Sequence, residues 1–151
     1  MSKRTSTFIV LVLACISNLS LAAQDGPMLK ASELATHPFQ CRGLSVTITG
    51  LNGHQVFAAE RKQSGRAHVK LAFENPSASF IAFSPQDLCL VGKDGIQMQP
   101  LFEINSVDDT TPMTLRIAPS ARFSTEYVMT GRLRFPAKIY LGDTLVAQVT
   151  E

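Results

Sequence analysis

The chain contains three histidines, which are the side chains best suited to proton transfer or metal binding near neutral pH. His37 precedes a proline, whereas His54 and His68 lie on either side of a predicted turn near residues 63–64. That turn would place His54 and His68 well out of register on neighbouring strands. We therefore expect no metal site shared between them.

Carboxylates and serines lack the spacing that catalysis needs. Asp108-Asp109 is the one adjacent acidic pair, and its threonine-rich surroundings favour a solvated loop tip over a calcium site. No serine lies in a Gly-x-Ser-x-Gly elbow, and no glycine-rich loop is placed to hold a phosphate. The sequence predicts a chain that is not an enzyme, with no catalytic residues, no metal and no cofactor.

The N-terminal segment has the order of a secretory signal peptide. Lys3 and Arg4 supply positive charge, an apolar run covers residues 8–16, and small residues at 20–23 suit a signal peptidase. The run is shorter than the roughly 20 residues of a membrane-spanning helix. We predict a signal peptide at residues 1–23 and a periplasmic or secreted protein without a membrane span.

A second interpretation of this segment stays open. Residues 12–15 are similar to a bacterial lipobox, in which case Cys15 would carry a lipid anchor. Leu13 fits its position in that motif poorly, and residues 20–22 make the better cleavage site. The sequence therefore favours a free protein over a lipoprotein.

Cys41 and Cys89 are the two cysteines that remain after removal of the signal. An even number of cysteines in an oxidising compartment predicts a disulfide, here between Cys41 and Cys89. The alternative is a pair of buried free thiols. A redox or metal role is disfavoured because there is no Cys-x-x-Cys spacing.

Length and charge limit the classes of partner. Cleavage after residue 23 leaves 128 of the 151 residues, which suits one domain. The 14 basic residues include the two in the signal, so the remainder carries 12 basic and 12 acidic residues. A nearly neutral domain gives no electrostatic case for nucleic acid or for an anionic membrane surface, and it is compatible with a protein partner.

The spacing of apolar residues predicts a β-protein. Residues 24–43 form a lead-in with one helical turn near residues 32–35, and alternation of period two begins at Leu44. The Asn52-Gly53 pair predicts a hairpin, and Gly142-Asp143 predicts a closing hairpin. Eight or nine short strands separated by turns indicate an antiparallel β-sandwich over residues 44–151, with a small closed barrel as the alternative.

Several segments together resemble the immunoglobulin-type, telokin-like accessory domains of bacterial secreted proteins and lipoproteins. The resemblance is carried by residues 69–77 (VKLAFENPS), 87–90 (DLCL), 93–100 (KDGIQMQP), 117–121 (IAPSA) and 135–143 (FPAKIYLGD). It implies an immunoglobulin-like sandwich and an extracytoplasmic binding or stabilising module without catalysis. The family has no fixed catalytic residues to assign to this chain.

Two sets of side chains are candidates for binding a partner. Arg132 and Arg134 would share one face of a strand and could hold an acidic partner, or they could guard an edge strand against aggregation. Phe80 and Phe83 could form an exposed apolar loop that docks a partner, although packing in the core is the stronger interpretation for that segment. Arg116 and Arg122 are the other arginines of this region.

The sequence thus predicts an exported, non-catalytic module that acts through protein–protein contacts. A structural lipoprotein tethered at Cys15 is the alternative. A small-molecule or carbohydrate-binding module is a weaker alternative, because the chain has no tryptophan and two tyrosines, and sugar-binding surfaces usually need large aromatic faces.

Overall fold

The computed structural model describes residues 26–54, 66–101 and 114–151. The predicted signal peptide, Cys15, the Asp108-Asp109 pair and most of the strand expected at residues 54–60 lie outside these ranges. The described strands are β1 (Met28–Lys30), β2 (Pro38–Cys41), β3 (Leu44–His54), β4 (Arg66–Glu74), β5 (Ile81–Phe83), β6 (Leu88–Val91), β7 (Gln97–Met98), β8 (Leu115–Ile117), β9 (Arg122–Val128), β10 (Ala137–Leu141) and β11 (Thr144–Thr150). Two short 3-10 helices cover Ala31–Thr36 and Pro85–Asp87.

The strands form three sheets, and the prediction of an all-β protein is confirmed. A five-stranded sheet has the order β1-β11-β10-β6-β7, a four-stranded sheet has the order β2-β3-β4-β9, and β5 pairs with β8. All described pairs are antiparallel except β1 with β11, which is parallel. Strand β1 lies in the lead-in, before residues 44–151, for which the antiparallel arrangement is predicted. In the described residues the two larger sheets are separate ladders, unlike the single ladder of a closed barrel.

The lead-in at residues 24–43 contributes strands to both large sheets. β1 adds to the edge of the five-stranded sheet beside β11, and β2 adds to the edge of the four-stranded sheet beside β3. The 3-10 helix at Ala31–Thr36 connects them and buries Leu34. Backbone pairing therefore attaches this segment to both large sheets.

The hairpin predicted at Asn52-Gly53 is wrong, because β3 runs straight through this pair. Asn52 lies opposite His68, and His54 lies opposite Arg66. His54 and His68 are consequently two positions out of register on paired strands, closer than the predicted turn would place them.

A bulge explains why β3 continues. The register of β3 against β4 shifts between Ile48 and Gly50. The extra residue, Thr49, returns Leu51 to the buried side that Val46 and Ile48 already occupy. The strand therefore gains further core burial beyond the bulge instead of turning.

Two other turns each contain a glycine with a positive φ. Gly95 has φ +75° between β6 and β7, and Gly142 has φ +60° between β10 and β11. Glycine adopts this left-handed backbone without the steric penalty of a Cβ. The predicted closing hairpin is thus confirmed, with Leu141 opposite Thr144.

The two large sheets share one hydrophobic core. Strands from both alternate buried and exposed positions, as in β4 and β10. The core contains, among others, Val46, Val69, Phe73, Leu90, Ile139 and Val149. Neither described helix is long enough to cross a membrane.

Candidate partner-binding cleft

The strand registers define two ends of the fold. At one end, Ser45 of β3 and Arg122 of β9 both lie opposite Glu74 of β4. We call this the cleft end. At the other end, Asn52 and Val128 both lie opposite His68. We call this the opposite end.

Asn75 organises the cleft end. It is fully buried, directly after β4, and its Nδ2 donates to the backbone oxygens of Ser79, Ile117 and Ala118 at 2.8, 3.0 and 3.1 Å. Its Oδ1 accepts from the backbone N–H and the hydroxyl of Ser77. One amide therefore joins the loop after β4 to the turn after β8.

Asp87 is the second buried polar residue in the described ranges, and it also lies at the cleft end. Its carboxylate accepts from Arg42 through both oxygens, at 2.9 and 3.0 Å, and from the backbone N–H of Ser84 at 3.1 Å. The N–H of Gly142 donates to its backbone oxygen at 2.7 Å. These contacts join the β2–β3 turn, the second 3-10 helix and the β10–β11 turn.

A cleft of about 250 Å³ opens beside the turn that Asn75 holds. It exists because β8 and β9 are consecutive but pair with different sheets: β8 with β5, and β9 with β4. The two strands diverge after the turn and leave a gap between them. The lining residues are Leu115, Arg116, Ile117, Ala118, Ala121, Arg122 and Phe123.

Aromatic and cationic side chains lie around this cleft. The Arg116 guanidinium sits 4.9 Å from the ring centre of Phe80, which is 57% exposed. Arg122 Nη2 contacts Glu74 Oε1 at 3.3 Å, and both side chains are more than half exposed. Phe123 is 42% exposed although it lies opposite buried Phe73. The site is an apolar gap with two accessible guanidinium groups.

Phe83 does not belong to this surface. It is 1% exposed, and its ring centre lies 4.7 Å from that of Phe73 in the core. Phe80 and Phe83 therefore have different roles, and the expectation of a shared exposed loop holds for Phe80 alone. The stronger interpretation of that segment, packing in the core, is correct for Phe83.

Arg132 and Arg134 lie elsewhere. Both are exposed on either side of buried Leu133, but in a connection between β9 and β10 and not on a strand. Arg134 Nε contacts Asp94 Oδ2 at 3.7 Å at the opposite end. The length of β9, about 20 Å, separates them from Arg122. The arginines of this region therefore form two groups rather than one.

The structure holds Cys41 and Cys89 as free thiols, so the predicted disulfide is not formed. Cys41 is buried at the end of β2, whereas Cys89 is half-buried between Leu88 and Leu90, which face the core. The two side chains thus belong to different sheets, with Cys89 on the outer face of its own. Burial raises the pKa of both thiols, which disfavours the reactive thiolate.

No group of three or more histidine, cysteine or carboxylate side chains gathers to hold a metal within residues 26–54, 66–101 and 114–151. His68 Nδ1 lies 2.9 Å from Glu126 Oε1, and Lys70 Nζ lies 3.9 Å from Glu126 Oε2, on the outer face of the four-stranded sheet. These contacts form an exposed charge cluster.

Sequence patterns could have indicated part of the cleft. The Asn75-Pro76 pair after a strand is typical of a turn, and Phe80, Arg116 and Arg122 were noted individually. Nothing local brings them together, because β8 and β9 diverge only through their pairing with β5 and β4. Phe123 as a cleft residue was missed for the same reason.

No protein-family profile and no curated protein matches the chain. Among solved structures, the chain is similar to the crystal structure of the yjhA protein from Bacillus subtilis, with 14% sequence identity and a TM-score of 0.49. The alignment covers 72% of this chain and 82% of that chain. A likeness of this size carries no argument about function.

Proposed function

We propose that this chain is an exported, non-catalytic binding or stabilising module that contacts another protein through the cleft between β8 and β9. The observation that carries the proposal is the cleft itself, an apolar gap bordered by exposed Phe80 and Phe123. Exposed aromatic rings beside an apolar pocket are typical of protein interfaces.

The rigidity of the surroundings supports this function. Asn75 hydrogen-bonds to the backbone of Ile117, which lines the cleft, and the neighbouring rings of Phe73 and Phe83 pack against each other. Because these contacts already hold the segments around the cleft, little ordering is needed when a partner binds. The volume of the cleft, about 250 Å³, also favours a macromolecular partner over a drug-sized ligand. Pockets for drug-sized ligands usually exceed about 300 Å³, whereas a single protruding side chain fits a smaller gap.

We further propose an immunoglobulin-like sandwich as the detailed fold and the periplasm or the outside of the cell as the location. The all-β architecture with two sheets around one core supports the first. The order of charged, apolar and small residues at positions 1–23 supports the second.

Intact mass of the protein isolated from its native envelope tests export. A chain that begins at Ala23 or Gln24 supports a free exported protein. A chain that begins at Cys15 with added acyl groups would support the tethered alternative, and an uncleaved N-terminus would contradict both.

Photocrosslinking in living cells tests the binding function. A photoreactive phenylalanine analogue replaces Phe123 in one variant and exposed Gln97, at the opposite end, in a control. We expect a protein adduct of defined mass from position 123 and none of that mass from position 97. Equal adducts at both positions, or none at position 123, would contradict the proposed site.

A further inference from the structure

We infer that the occupant of the cleft is an acidic peptide segment of a partner protein, with an apolar side chain in the gap and carboxylates on Arg116 and Arg122. This inference rests on the proposed function and specifies the chemistry of the partner.

Charge complementarity is the first argument. Two of the seven residues that line the cleft are arginines, and the others are apolar. Glu74 is the one carboxylate within ion-pair distance of either arginine in the described residues. The cleft therefore has a net positive border, which attracts carboxylates and repels lysine-rich segments.

The free donors of the two guanidinium groups are the second argument. A guanidinium has five N–H donors in a planar fork that matches a carboxylate. Arg122 uses one nitrogen on one oxygen of Glu74 at 3.3 Å, and its side chain is 81% exposed. Arg116 lies over the Phe80 ring, and its guanidinium makes no hydrogen bond or ion pair with the part of the chain that the structure describes. Each arginine can donate to a further carboxylate without losing its present contact.

The apolar floor distinguishes this site from a simple anion-binding patch. Leu115, Ile117, Ala121 and Phe123 contribute apolar surface to the same lining as the two arginines, and we call this surface the floor of the cleft. A phosphate or a single carboxylate would leave this floor in contact with water. A leucine-sized side chain between acidic residues would cover this floor and remove its apolar surface from water.

Fluorescence anisotropy with defined peptides tests the inference on the protein as purified from cells. The probe is a fluorescein-labelled peptide with one central leucine and two glutamates on each side. Three matched peptides replace the leucine with glycine, the glutamates with glutamines, or the glutamates with lysines. We expect saturable binding of the probe, and at least about fivefold weaker binding of each matched peptide.

Charge-removing variants locate the binding. Arg116→Gln and Arg122→Gln should each raise the Kd of the probe by about three- to tenfold, because each removes an exposed charge-assisted contact. Arg132→Gln, which removes the same charge at the opposite end, should change the Kd by less than about twofold. Thermal unfolding of all three variants controls for folding, and we expect unchanged transitions.

Several results would overturn the inference. Equal affinity for the glutamine peptide would show apolar docking without charge recognition, which leaves the proposed function intact. Equal loss of affinity in Arg132→Gln would show a non-specific charge effect. Absence of saturable probe binding would refute the acidic peptide as occupant. Binding of phosphatidylglycerol vesicles or inorganic phosphate with the same arginine dependence would assign the site to another anion. Failure of the proposed function is recognised separately, by absent crosslinks at position 123.

Discussion

The two ends of the fold are built differently. The cleft end contains both buried polar side chains of the described residues, Asn75 and Asp87, and each joins segments that are distant in sequence. The opposite end is held by backbone hydrogen bonds, such as Ala67 N–H to Gly131 oxygen, and by the exposed Arg134–Asp94 pair.

This difference indicates where the molecule maintains a fixed surface. Buried polar groups cost free energy unless they are fully paired, and once paired they specify one arrangement of the loops around them. An exposed ion pair at 3.7 Å contributes little to fixing the arrangement of the loops around it. The cleft end is therefore a preorganised surface, whereas the arginines of the opposite end are solvated charges.

The largest effect on stability is expected from the contact between Phe73 and Phe83 near the cleft end. Phe83→Ala should lower the free energy of unfolding by about 3–5 kcal/mol, because it leaves a cavity beside Phe73. Phe80→Ala, three residues earlier, should lower it by less than about 1 kcal/mol because Phe80 is mostly exposed. Urea unfolding of both variants measures the contrast. Equal losses would mean that Phe80 belongs to the core.

Removal of the buried amide should have the next largest effect. Asn75→Ala leaves the backbone oxygens of Ile117 and Ala118 without this donor and should cost about 2–3 kcal/mol. Gln97→Ala removes an exposed amide at the opposite end and should cost less than about 0.5 kcal/mol. Denaturant midpoints provide the measurement, and similar midpoints for the two variants would refute the proposed asymmetry between the ends.

The two ion pairs provide a smaller contrast. Asp87→Asn weakens a two-oxygen contact with Arg42 at a buried carboxylate and should cost about 1–2 kcal/mol. Asp94→Asn weakens the long, exposed contact with Arg134 and should cost less than about 0.5 kcal/mol. Unfolding in low and high salt separates them, since salt should affect the exposed pair more. If Asp94→Asn lowered the free energy of unfolding as much as Asp87→Asn does, this contrast would be contradicted.

Substitution of Tyr127 should have the smallest effect on stability near neutral pH and a measurable effect at alkaline pH. Its hydroxyl is buried without a hydrogen-bond partner among the described residues, and burial raises its pKa to about 12. Because this pKa lies above that of the unfolded chain, the neutral phenol contributes stability that is fully present below about pH 10 and is lost as the pH rises towards 12.

Tyr127→Phe should therefore reduce the fall in stability between about pH 10 and pH 12. At pH 7 it should leave stability unchanged or slightly higher, since the variant removes a polar atom that lacks a partner. Thermal unfolding as a function of pH measures both effects. Parallel pH profiles for the two proteins would show that Tyr127 ionises normally in the fold.

Local patterns predicted the strands whose burial alternates. The alternation that begins at Leu44 predicted the first part of β3, and Gly142-Asp143 predicted the closing hairpin, because a period of two and a positive φ are properties of a few adjacent residues. The same reasoning failed at Asn52-Gly53, where the bulge at Thr49 makes a continued strand more favourable than a turn. Tertiary burial outweighed the turn propensity there.

The disulfide prediction failed for a related reason. An even number of cysteines gives no information about which way each side chain faces. Leu88 and Leu90 face the core, so Cys89 lies on the outer face of the five-stranded sheet, whereas Cys41 of the four-stranded sheet is buried.

The all-β class could be predicted from the spacing of apolar residues and turn formers, because that spacing is a local property of the chain. The residues of the candidate site are defined by strand pairing, which is not local. Phe80, Arg116, Arg122 and Phe123 come together because β8 and β9 pair with different sheets and Asn75 holds the turn between them. Such pairing depends on contacts between residues far apart in the chain, and no local pattern encodes them.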